Sequence, residues 1–209
     1  MELTAQQLKE LDPKRFEQEH HDWQEHGALW DEWFDSIEQN FTDEMAAHGV
    51  QVERIAFNGF YCQGSYACFD GKINVHKWMA AEIYDDGQTY AEAFPALYLA
   101  TEQDRSTVFV STSYRGNTHF NFEVNFIETQ PTGIFQHLDE DGWHELVVQQ
   151  DDASNLESNI RWFIESKNNE LFKQLQDEYE DLTSEESFIG SCECNEVTFN
   201  LENDDEVCN

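Results

Sequence analysis

From Thr118 to Ile127, the residues Phe120, Phe122, Val124 and Phe126 alternate strictly with polar neighbours. Only an extended chain, whose side chains switch faces at every residue, turns that period of two into one apolar surface and one wet one. A half-buried strand of this kind needs partners like itself joined by short turns, so the chain is expected to build an antiparallel sheet. Thr107 to Tyr114 reads as a matching strand, with Arg115-Gly116-Asn117 as the turn between the two. Val50 to Phe57 and Ala67 to Val75 read as two more strands around the glycine-punctuated segment from Asn58 to Tyr66, and Ala96 to Thr101 as another. The expectation is a sheet of about four to five strands, buried on one face.

Elsewhere the apolar period is helical. Asp12 is a good N-cap and Pro13 suits a first helical position, so a helix is predicted from there to about Glu25, stopping at Gly27, with Phe16 and Trp23 on one face. A second runs from Leu29 to about His48, placing Trp30, Trp33, Phe34, Ile37, Phe41 and Met45 on one stripe, with Gly49 as its C-cap. Leu138 to Gln150 reads as a short helix led by Asp139-Glu140-Asp141-Gly142, and Leu156 to about Leu182 as a long one. Thr183-Ser184-Glu185-Glu186 resembles the start of another short helix, and Glu193 to Leu201 offers a last strand. The fold class predicted is α+β: an antiparallel sheet packed with an N-terminal helical hairpin and a long C-terminal helix. Three prolines, ten glycines and the lack of an internal repeat argue for one acidic domain over residues 1–201 with an acidic tail at 202–209.

Charge restricts what such a domain can meet. Forty-four Asp and Glu face eleven Lys and Arg, a formal net charge of −33, while sixteen Phe and six Trp supply far more apolar material than a disordered acidic tail would. Like-charge repulsion disfavours nucleic acid and anionic membrane and favours basic partners. The same composition also serves solubility or salt adaptation. No run of about 18 apolar residues occurs, and Met1 to Phe16 lacks the layout of a signal peptide, so an intracellular protein is expected. The five cysteines, Cys62, Cys68, Cys192, Cys194 and Cys208, form no CxxC pair and are expected to stay reduced, without a zinc site.

No catalytic signature is found: there is no phosphate-binding glycine loop, GxSxG elbow, kinase motif or HExxH. His20, His21 and His26 lie among carboxylates but without fixed metal-ligand spacing; solvated histidines on an acidic helix account for them. No cofactor or metal is expected. Gln63, Gly64, Ser65 and Tyr66 could shape a small binding surface, since glycine permits close backbone approach and its neighbours supply donors and acceptors; a tight turn between aromatic strands is the simpler account. The principal candidate surface is the set Glu17, Glu19, Asp22, Glu25, Asp31, Glu32, Asp35 and Glu38, on the outer faces of the two N-terminal helices.

The run from Phe57 to Phe69, containing NGFYCQGSYACF, resembles the SGFxxQGxxAxF element of a family of small uncharacterised bacteriophage proteins. It departs at Ser65-Tyr66, where an Asp-Gly-like pair is usual. LQDEYEDLTSEE, from Leu175 to Glu186, is similar to that family's EYEYLTSDE element, and Leu11 to Phe16 is similar to its opening. Such proteins are sometimes loosely labelled antitoxin-like, which implies binding and neutralising another protein. Charge and resemblance together predict a non-enzymatic phage protein, working in the host cytoplasm, that inhibits a basic nucleic-acid-binding, toxin or defence protein as a DNA mimic would. The alternatives are a virion or assembly component and a carboxylate- and Mg²⁺-dependent enzyme on nucleotides or nucleic acid.

Overall fold

The computed structural model describes residues 2–29, 32–61, 63–103, 107–112, 118–123, 134–139, 142–147 and 150–200. In chain order they form β1 (Glu2–Leu3), α1 (Ala5–Leu11), α2 (Pro13–His26), α3 (Asp35–Ala47), β2 (Val50–Asn58), β3 (Tyr66–Asn74) and α4 (Val75–Ala81). Then follow β4 (Ile83–Asp85), β5 (Gln88–Thr89), α5 (Tyr90–Ala93), α6 (Pro95–Gln103), β6 (Thr107–Thr112), β7 (Thr118–Glu123), β8 (Ile134–Asp139) and β9 (Gly142–Val147). The chain closes with α7 (Gln150–Leu182), α8 (Glu185–Cys194) and β10 (Phe199–Asn200). The fold is α+β, and the chain gathers into two compact units: Met1–Asp35 with Leu175–Asn209, and Ser36–Gln174.

The larger unit holds a four-stranded antiparallel sheet in the order β2-β3-β6-β7. β3 lies inside the sheet, and Ala67, Cys68, Phe69 and Ile73 along it are buried, as are Val108 and Val110 of β6. Phe41 of α3 packs on Phe69 with ring centroids 5.7 Å apart. From α7 come Leu156, Ile160, Phe163, Ile164 and Leu171, all buried at the spacing of one helical face. The β2–β3 register shifts between Val52 and Arg54. Opposite, a Cβ on Gly71 would stand 2.3 Å from the Gln51 carbonyl oxygen, so only glycine fits beside that irregularity. β4 and β5 form a hairpin through Asp86 and Gly87, both at positive φ (44° and 84°), as a two-residue Asp-Gly turn requires.

The smaller unit is mostly helical. Thr4 and Gln7 cap α1 reciprocally, and the Asp12 side chain accepts from the Arg15 N–H to start α2. Leu3, Ala5, Leu8, Phe16, Phe188, Cys192 and Phe199 form its core. Phe188 of α8 is the hub, with ring centroids 5.5 Å from Phe16, 5.4 Å from Trp23 and 6.4 Å from Phe199. A two-residue ladder closes the unit, β1 antiparallel to β10, pairing Glu2 with Asn200 and Leu3 with Phe199.

Several expectations need correction. Ala96–Thr101 belongs to helix α6: Pro95 takes its first position, and Leu97 and Thr101, one turn apart, are both buried. In place of the short helix expected from Leu138, the described residues to Val147 are strands: β8 and β9 pair there, with Leu138 opposite Trp143 and Asp139 opposite Gly142. The second helix begins at Asp35 instead of Leu29, after a turn at 32–34, although Trp33 is buried as its stripe required. Helix α8 occupies the start of the strand expected from Glu193, and among the described residues the strand is Phe199–Asn200. The turn Arg115-Gly116-Asn117 and the apolar positions Val124 and Phe126 lie outside the described residues.

Candidate functional site

Along α2, each residue advances about 100° around the axis, and the core takes one side. Phe16 is buried, and Trp23, His20 and Gln24 share its side. His20 donates its Nε2–H to the Thr183 carbonyl at 2.9 Å, and Gln24 donates to the same oxygen at 2.7 Å, so two polar side chains cap the C-terminal end of α7. The opposite half of α2 carries Glu17, Asp22 and Glu25, all exposed. Glu19 sits at the margin of that half and pairs with Arg15 at 3.5 Å, and Glu25 approaches His21 at 3.5 Å. Three of the expected carboxylates are therefore brought onto one helical face with a fourth beside them.

The remaining four are not all gathered there. Glu32 and Asp35 are exposed and follow α2 in the smaller unit; Glu38, half-buried, belongs to the larger unit; Asp31 lies outside the described residues. A second acidic stretch of similar density lies near the other end of the chain. From Leu175 to Asn200 the chain carries Asp177, Glu178, Glu180, Asp181, Glu185, Glu186, Glu193 and Glu196 and no Lys or Arg. The signal was legible, because Lys173 is the last basic residue of the chain. A groove of about 710 Å³ between α1 and α8 is lined by Lys9, Glu185, Glu186, Ile189, Gly190 and Glu193. Lys9 reaches Glu185 at 2.5 Å, and that hydrogen bond holds the Glu185 carboxyl below the usual carboxylate range.

The loop residues Gln63, Gly64, Ser65 and Tyr66 join β2 to β3, with Asn58 and Tyr66 paired at its base and Gly59 and Gly64 at positive φ. Phe60 anchors it, stacked near Phe57 at 6.1 Å and tilted against Phe172 of α7 at 5.8 Å. Gln63 and Gly64 are exposed, whereas Ser65 and Tyr66 are half-buried. An aromatic-anchored hairpin turn accounts for this geometry.

His26 is engaged with the Asp22 carbonyl at 3.0 Å, and among the described residues no group of three His, Cys, Asp or Glu is arranged to hold a metal ion. Cys192 is buried, and desolvation, then the nearby Glu19 charge, pushes its thiol up, away from the thiolate that reactivity requires. Cys68 is buried with its thiol against the Ala56 carbonyl. No described helix is long and apolar enough to cross a membrane.

A family model described as a domain of unknown function, DUF8835, matches residues 33–185, well over half of the chain. No curated protein and no solved structure matches it. The chain belongs to the DUF8835 family.

Proposed function

We propose that this DUF8835 member is a non-enzymatic bacteriophage protein that binds and blocks a basic, nucleic-acid-binding or defence protein in the host cytoplasm, through the acidic face of its smaller unit. The observation that carries the reading is the uneven distribution of charge. The smaller unit holds 22 Asp and Glu against Lys9, Lys14 and Arg15, a net −19 on 70 residues; the larger holds 22 against eight, a net −14 on 139. A uniform acidic coat, as solubility alone would lay down, would place only about a third of the charge, roughly −11, on the smaller unit.

Duplex DNA carries one charge per about 1.7 Å of axis, and a basic channel built for that field is attracted to any surface of comparable density. Dense carboxylates speed encounter, by roughly ten- to a thousandfold where steering is strong, and half-buried apolar groups such as Ile189 in the groove supply contacts that persist in salt. The test uses host lysate at low salt. Immobilised protein should retain proteins with basic nucleic-acid channels, duplex DNA should compete them away, and the variant Glu17→Lys, Asp22→Lys, Glu25→Lys, Glu186→Lys should weaken retention by roughly tenfold or more. Retention indifferent to both competitor and charge reversal would sink the proposal.

A further inference from the structure

Against the acidity of the whole chain, one cleft has the opposite character. It opens in the larger unit where α3 turns into β2, and its volume is about 480 Å³, within the range of small-molecule sites. Its polar lining is Thr42, Gln51, Lys72, Asn74, Lys77 and Thr107, over an apolar floor that includes the buried Val50. No Asp or Glu lines it, in a chain where these outnumber Lys and Arg four to one. Lys72 stands 2.6 Å from Glu53 and over the Phe109 ring at 6.0 Å, while the side chain of Lys77 has no ion pair among the described residues. Lys77 thus brings to a concave surface an ammonium that no described carboxylate pairs.

The cleft is also rigidly built. Gly49 takes φ +73°, and a Cβ there would meet the Lys77 Cβ at 2.5 Å, so the turn is pressed onto the first residues of α4 as only glycine allows. The Gly49 carbonyl accepts from the Asn74 N–H at 2.9 Å, and the Asn74 side chain accepts from the Lys77 N–H at 2.9 Å. These bonds fix the backbone that carries Lys77 relative to the start of β2. The ammonium of Lys77 stands on a four-carbon stem at the exposed rim, a point charge suited to an anionic group of variable shape.

We propose that this cleft binds a small organic anion of up to about mononucleotide size, its phosphate or carboxylate held by Lys77 and Lys72 and its body resting over Val50. The inference does not depend on the proposed docking of a basic protein, which uses the other unit. The test is amide chemical-shift titration of the full chain with AMP, adenosine, citrate and spermidine. AMP or citrate should give saturable shifts confined to residues 42–52, 72–77 and the neighbourhood of Thr107, adenosine should give at most a tenth of that affinity, and Lys77→Gln should weaken binding about tenfold with the melting midpoint unchanged. Glu53→Gln, which releases Lys72 from its partner, should tighten binding. Absence of saturation by both anions, equal affinity in Lys77→Gln, or preference for spermidine at this cleft would overturn the proposal.

Discussion

The two units solve the same problem with different means. The larger has a sheet, two buried faces on β3 and a helix face of five large apolar residues laid against its core, and it spreads a net −14 over 139 residues. The smaller has a core cluster gathered around Phe188, a two-residue ladder and a net −19 on half the length. It therefore carries more self-repulsion per residue, against which the caps of α1 and α2 and the aromatic packing around Phe188 work. The family match reinforces the contrast: residues 33–185 contain the whole larger unit, whereas α1, α2 and most of α8 fall outside them. Charge is densest in the part that the family model does not cover.

The largest test of this contrast deletes one core ring from each unit. Phe69→Ala and Phe188→Ala should each cost about 3–5 kcal/mol. Native-state hydrogen exchange should then show protection lost in β2, β3 and β6 for the first variant and in α1, α2 and α8 for the second. Equal loss in both units from either substitution would break the division into two.

Helix caps give a smaller, sharper comparison. Asn74→Ala removes the acceptor for the Lys77 N–H and should cost about 1 kcal/mol. Asp12→Ala removes the acceptor for the Arg15 N–H but also one negative charge from the crowded unit, so its cost at low salt should be visibly less. Asp12→Asn, which keeps a capping oxygen, should cost nothing at low salt; urea midpoints at low and high salt decide the matter.

The smallest effect concerns Glu185. Its carboxyl is held below the ordinary value of about 4.3 by the hydrogen bond from Lys9. That contribution to stability is present above the ordinary value and is lost as pH falls through the lower, folded one. The pair is exposed, so its loss is minor beside the relief of repulsion when other carboxylates protonate. In Lys9→Met the Glu185 midpoint should rise toward the ordinary value, read by NMR titration; no movement would detach Lys9 from the groove.

How much of this was legible depended on how local the deciding interactions are. Helix α2 could be bounded nearly to the residue because Asp12, Pro13 and Gly27 punctuate it from within. The β2–β3 hairpin and long α7 follow from apolar periods that neighbouring residues sustain by themselves. Ala96–Thr101 is a short apolar run whose period fits strand or helix, and the sign that separates them, Pro95 at the first position, is a single residue. At 138–147 the Asp139–Gly142 segment serves equally as a helix lead-in or a hairpin tip, and pairing with Ile134–Leu138 decides it. The β1–β10 ladder joins residues almost two hundred positions apart, which no local pattern encodes. The carboxylates of α2 could be placed on one face from the sequence because Phe16 and Trp23 mark the opposite face, whereas those beyond Lys173 are spread over α7, α8 and the turn between them, with no single stripe to orient them.

That ladder has a consequence for synthesis. Between Asp35 and Leu175 the ribosome must make the 139 residues of the larger unit, which at ordinary rates takes roughly 7–28 s. During that interval α1 and α2 have neither Phe188 nor Phe199 to pack on, and the capping oxygen of Thr183 does not yet exist. The sheet can assemble on the emerging chain, but the acidic face is completed only after β10 has been translated. A truncated nascent chain would thus present carboxylates without the scaffold that orders them.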